Sequence, residues 1–125
     1  MIVRNISEVK EIKAHGEALY RYFFMRKDIY EYLGMDDVLK VLGGFWQTTL
    51  EAGKKLDPHS HEDHEQIYYI LEGGGVLTVG EDTRRARKGD AVYIPPKTSH
   101  SFHNDTDRPC TIIMADAAMK KRQDC

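Results

Sequence analysis

Cysteine is scarce: the 125-residue chain has two, Cys110 and Cys125. The first falls in a strand-like run and the second is the last residue. Chain ends make poor disulfide partners, because they are commonly mobile. That argues against a disulfide-built scaffold and for a reduced, cytoplasmic chain. Long apolar runs are also missing. None approaches the ~18 residues a membrane-spanning helix needs, and the start, MIVRNISEVKE, lacks the apolar core of a signal peptide. Charge of one sign is missing too: 18 Lys and Arg face 20 Asp and Glu, for a net charge of −2. The KKR beginning at Lys120 is too short to change that balance. Neither nucleic acid nor a membrane is therefore expected as a partner.

Repeats, low-complexity tracts and linkers are absent as well. So are the GxxxxGK[ST], GxSxG and HExxH patterns. GGGV at Gly73 to Val76 has no helix after it and reads as a hairpin turn. Arg84, Arg85, Arg87 and Lys88 read as a solvated hairpin between two strands. Ser99 and Ser101 have no evident triad acid.

What the chain does have is a change of pattern near Phe45. Its length favours one domain. Before Phe45, Ile6 to Ile12 has weak helical spacing, ALYRYFFM (Ala18 to Met25) is strand-like, and Met35 to Leu42 predicts a short helix ending at Gly43-Gly44. After it, short β-rich runs follow one another: FWQTTL, IYYIL, GVLTV, AVYI, HSFH and CTIIM. Gly, Pro, Asn and Asp separate them. The gaps are too short for helical crossovers, so the sheet is antiparallel, a sandwich or barrel. The expected division is an N-terminal segment over 1–44, a barrel over 45–117 and a tail over 118–125.

Six histidines are present, and three crowd into HSHEDHEQIYYILEG, from His59 to Gly73. If the stretch is a strand, His59 and His61 share a face and can share an ion. Imidazole suits zinc, copper, iron and nickel. His100, which follows its own strand, is the natural third ligand. His15, His64 and His103 each read as surface or satisfied core residues. The HxH pair alone is equally a metal site or a coincidence of spacing.

The spacing around the histidines resembles the two signature motifs of the cupin superfamily. Gly53, His59, His61, Gln66 and Gly73 follow the first, G-x5-H-x-H-x3 or 4-E-x6-G. Gly89, Pro95, His100 and Asn104 follow the second, G-x5-P-x-G-x2-H-x3-N. The gap between them, Gly74 to Lys88, is short, as in small single-domain members. The resemblance extends to about Ala117. It implies an all-β double-stranded β-helix, or jelly roll, with an irregular or short-helical N-terminal segment. It also implies one divalent transition metal (Fe, Mn, Ni, Zn or Co) on His59, His61, Gln66 and His100.

Two departures bear on the site. Lys97 stands where the second motif has glycine, which should alter loop shape more than ligation. Gln66 stands where the first motif has glutamate, and Glu65 is the alternative ligand one residue out of phase. With Gln66 the ligand set is neutral and the ion keeps its full charge, which raises Lewis acidity and weakens retention. Glu62, Asp63 and Glu65 read as a solvated acidic loop. Histidine ligands must be neutral, so binding is expected to weaken below about pH 6.

Tyr68 and Ile70 share the phase of Gln66 and are expected to line a substrate pocket, with Phe102 beyond His100. Trp46 and Thr48, on FWQTTL, add to it if they face inward. Tyr68 or His64 is the expected proton-handling group. The functions implied are a metal-dependent enzyme acting on a small oxygenated molecule, by dioxygenase, isomerase or lyase chemistry, or a non-catalytic binder of a sugar or organic acid. The aromatic strand ALYRYFFM, taken as an exposed edge, suggests a homodimer.

Overall fold

The computed structural model describes residues 1–26 and 38–119. Those residues form strands and turns, with no helix among them. The strands are β1 (Glu11–Ala14), β2 (Ala18–Met25), β3 (Leu42–Leu50), β4 (Lys55–His59), β5 (His64–Glu72), β6 (Gly74–Val79), β7 (Asp82–Arg87), β8 (Ala91–Ile94), β9 (His100–His103) and β10 (Cys110–Ala118). One sheet has the order β1-β2-β3-β10-β5-β8 and the other β4-β9-β6-β7. The pairings are antiparallel, and one core is shared by both sheets. This is the antiparallel barrel expected from the strand pattern, with the jelly-roll form that the motif resemblance implies.

Alternation along each strand builds that core. On β10, Cys110, Ile112, Met114 and Asp116 turn inward, while Thr111, Ile113 and Ala115 are only partly covered. On β5, Gln66, Tyr68 and Ile70 turn inward, and Ile67, Tyr69 and Leu71 are exposed. A period of two is what a sheet with one buried face requires.

The N-terminal expectations need correction. Ile6 to Ile12 is not helical. The Asn5 side chain accepts from the Ser7 amide at 2.9 Å, closing a turn that competes with helix, and β1 begins at Glu11. Of the helix expected over Met35 to Leu42, residues 35–37 lie outside the described residues. Residues 38–41 are not helical and Leu42 opens β3. The Leu39 amide donates to Met25 O at 3.2 Å, extending the chain alongside β2 instead of coiling it. The strand β2 is not an edge. It lies between β1 and β3, and its Ala18, Tyr20, Tyr22 and Met25 are buried. A register shift between Tyr22 and Phe24 changes its phase, which is how Tyr22 and Met25 both face inward.

Two turn assignments change as well. The glycines after β5 do not make a hairpin, because β5 and β6 belong to different sheets. The chain crosses between sheets at Gly73, whose φ is +79° and whose added Cβ would lie 2.6 Å from Pro109 O. Only glycine fits there without displacing backbone. The basic run is mostly strand: Arg84, Arg85 and Arg87 lie on β7, an edge of the four-stranded sheet. Exposed charge on an edge discourages pairing with other chains. Arg85 grips Asp105 through two bonds, at 3.1 and 2.6 Å.

The second motif's asparagine is a buried staple. Asn104 is fully buried, and its Nδ2 donates to Leu50 O at 2.8 Å, Glu51 O at 3.2 Å and Arg108 O at 2.7 Å. Its Oδ1 accepts from the Thr106 amide and hydroxyl. The Gly53 amide donates to Asn104 O at 2.8 Å, joining one residue of each motif. Together they hold the turn that launches β4 toward the histidines.

Candidate metal centre

The HSHEDHE stretch is not one strand. β4 ends at His59, residues 60–63 cross from one sheet to the other, and β5 starts at His64. His59 and His100 are paired across β4 and β9. His61 is on the crossing loop, whose carbonyl at His61 accepts from the Lys97 amide at 2.7 Å. Lys97 has φ +58°, so the position has the left-handed turn that the motif's glycine serves. Gln66 comes from β5 in the facing sheet and is buried.

These paths converge. One ligand atom from each of His59, His61 and His100 lies within 4.8 Å of the others. The His59 ring is 4.2 Å from that of His100 and 5.0 Å from that of His61. Tautomers follow from the backbone. His59 Nδ1 donates to Asp57 O at 2.8 Å, and His100 Nδ1 to Thr98 O at 2.9 Å. A carbonyl can only accept, so each Nδ1 carries the proton and each Nε2 keeps a lone pair. Buried polar atoms are normally hydrogen-bonded. Yet His61 Nε2, His100 Nε2, Gln66 Oε1 and the Tyr68 hydroxyl are buried with no hydrogen-bond partner among the described residues. Two imidazole nitrogens and an amide oxygen lacking partners beside a third imidazole make a donor set that fits a divalent ion.

Burial also keeps the imidazoles neutral. His61 is pushed down to about 3, first by burial and then by His59 and His100. His59 and His100 also lie below the ordinary histidine value, with burial the largest cause. Burial thus disfavours the protonated form that would compete with a metal ion. The metal-free fold has a matching signature. Unfolded histidine titrates near 6.5 while folded His61 stays neutral to about 3, so in that window the unfolded chain binds more protons. Stability is complete above 6.5 and lost as pH falls through that value. The metal-free protein's Tm should drop between pH 7 and pH 5, with a shallower drop in His61→Ala. Equal slopes in the two proteins would contradict this.

The other expected residues separate clearly. Glu65 points away, its Oε1 accepting from the Tyr93 hydroxyl at 3.0 Å on an exposed surface. Tyr68 is buried with its ring 6.2 Å from His100, and its hydroxyl is held above the usual phenol range by burial, then by Asp116. Ile70 and Phe102 are core, as is Trp46, which packs on Tyr22 at 5.3 Å and Tyr20 at 6.0 Å. Thr48 also faces inward, 3.0 Å from Met114 Sδ. His64 packs on the His61 ring at 5.6 Å and lies between Asp63, 3.3 Å away, and Asp116, 3.6 Å away.

Two residues at the centre were not expected. His15, on the turn between β1 and β2, stacks on His59 with rings 3.9 Å apart and 6° from parallel. Its φ of +49° is uncommon for a residue with a side chain. No sequence signal marks it. Asp116 is the second, and it was findable: it takes the inward phase of CTIIMAD, where the preceding inward residues are apolar.

The model of the cupin domain family matches residues 46–116 of this chain. An uncharacterised protein of Methanocaldococcus jannaschii is 40% identical over 67 residues, which cover 54% of this chain and 54% of that protein. An acireductone dioxygenase of Puccinia graminis f. sp. tritici is 29% identical over 86 residues, covering 62% of this chain and 46% of that enzyme. The chain spans about half the length of these curated relatives. A solved structure described as a predicted oxalate decarboxylase from Thermotoga maritima shares the fold, with a TM-score of 0.75 at 22% identity over 94% of this chain and 99% of that one.

Proposed function

The chain belongs to the cupin domain family, and from that premise we propose that it is a metal-dependent enzyme acting on a small oxygenated organic molecule. The observation carrying this is the convergence of three histidine ligand atoms within 4.8 Å, beside a buried amide oxygen that has no partner among the described residues. In this reading His59, His61, Gln66 and His100 hold one divalent ion of Fe, Mn, Ni, Zn or Co. Such an ion supplies Lewis-acid or redox chemistry at a bound oxygen. The Asp57 and Thr98 carbonyls fix the imidazole tautomers. The Tyr68 hydroxyl, protonated at neutral pH, is a hydrogen-bond donor for a substrate oxygen. Similarity to an acireductone dioxygenase supports chemistry in place of mere capture. The proposal includes the cytoplasm as compartment, for which the scarcity of cysteine argues.

Elemental analysis of the purified protein, then turnover screening of small hydroxy, keto and carboxylate compounds with the metal found, tests this. Metal with turnover supports the enzyme. Metal with tight ligand capture and no turnover replaces it with a binding protein. A chain without metal, and unable to take it up, removes both.

A second copy of this chain is the proposed partner, on a different surface from β2. The outer face of β5 and β8 exposes Ile67, Tyr69, Leu71 and Tyr93, with Phe45 also exposed on β3. Ile67 and Tyr93 are directly paired across β5 and β8. An apolar patch of this kind favours association. Light scattering at micromolar concentration should give a dimer mass, and Ile67→Glu with Tyr93→Glu a monomer mass. A monomeric parent protein would dispose of the idea.

A further inference from the structure

The ligand set carries no charge, yet a carboxylate is built in beside it. We infer that Asp116 supplies the counter-charge for the ion held by His59, His61, Gln66 and His100, an inference that rests on the metal-site reading above.

Asp116 follows Cys110, Ile112 and Met114 in the inward phase of β10, and its side chain is 0% exposed. In register it stands opposite Gln66 on β5. Directly opposed residues on one face of a sheet bring their Cβ atoms to about 5 Å. Asp116 Oδ2 is also 3.6 Å from His64 Nδ1, and the His64 ring stacks on that of His61. Asp116 thus adjoins one ligand directly and a second through His64.

Three imidazoles and an amide would leave a divalent ion with its whole charge beside the buried His100 and Gln66. Charge held there without a counter-charge is strongly unfavourable. Asp116 is not one of the three residues whose ligand atoms converge, so it offsets charge without occupying a coordination position. That leaves positions open to substrate and keeps the ion a strong Lewis acid. Other acids are worse placed. Glu62 and Asp63 are exposed on the loop, where water screens them, and Glu65 is engaged by Tyr93 on the outer face.

Chelator competition with zinc and with cobalt tests the inference on the full chain, with circular dichroism as a check on folding. Asp116→Asn should weaken binding by about 10- to 100-fold, and Asp116→Ser, a second neutral variant, should do the same. Asp116→Glu, which keeps the charge, should hold metal better than either. Gln66→Glu added to Asp116→Asn should return affinity to the parent range, because it moves the lost charge across the strand pair. Parent-level affinity in both neutral variants would overturn the inference. So would a loss that Gln66→Glu does not repair, since a merely structural defect is not cured by a charge. His61→Ala separates the two readings. Binding lost there but untouched by Asp116→Asn defeats the counter-charge alone, whereas a parent chain that binds neither ion defeats the site as well.

Discussion

Alanine in place of His61 or His100 should take bound metal from about one ion per chain to nearly none. Changes in groups that merely orient metal ligands cost about 10- to 100-fold in affinity, so deleting a ligand should cost more than about 100-fold. Neither site has a substitute at hand. The His61 and His100 Nε2 atoms are buried, with no hydrogen-bond partner among the described residues, so removing either leaves the donor set one nitrogen short. Two other imidazoles lie near, His64 at 5.6 Å from the His61 ring and His15 stacked on His59, but neither is among the residues whose ligand atoms converge. His61 sits on a loop and is half-buried, so its alanine variant should fold normally. His100 is buried on β9, and its variant should lose some stability through the cavity left behind. Metal per chain, measured after gel filtration, decides the matter. Undiminished stoichiometry in both variants would sink the assignment.

Asn104→Ala should destabilise the protein by about 3 kcal/mol, lowering Tm by roughly 10 °C for a chain of this size. Nδ2 of Asn104 serves three backbone carbonyls, and Oδ1 caps the Thr106 amide. Alanine leaves these groups without their partner, the Leu50 carbonyl among them in a buried position, and an unsatisfied buried group costs about 1–3 kcal/mol. Not every one is stranded, because the Glu51 and Arg108 carbonyls lie nearer the surface. Asn104→Asp should be at least as damaging, since it turns a carboxylate oxygen toward three carbonyl oxygens. Thermal melts of both variants test this, and an alanine variant that melts with the parent protein would refute the staple.

Much of the centre was legible in the chain. The resemblance of their spacing to the two cupin motifs implied that His59, His61 and His100 meet, and their ligand atoms lie within 4.8 Å of one another. Gln66 and Glu65 were separable by phase, and the structure puts Gln66 inward and Glu65 on Tyr93. Local pattern misleads where tertiary contacts override it. HSHEDHE alternates like a strand, but the chain there is crossing between sheets. The Leu39 amide bonds to Met25 O, a contact across the chain that helical spacing cannot reveal.

The sequence by itself determined which residues face inward once they are in strands, because a pleat of period two makes facing a local property. It also marked breaks between strands at glycines such as Gly73, whose φ is +79°. Only the tertiary structure decided who meets whom across strands. Asp116 reaches Gln66 through the β5–β10 register, and His15 reaches His59 because the β1–β2 turn docks on β4, with the Asp57 amide donating to His15 O at 2.8 Å. Register between distant strands depends on how the whole core packs, since a slip of one residue would turn every side chain to the other face. No short stretch of the chain contains that information.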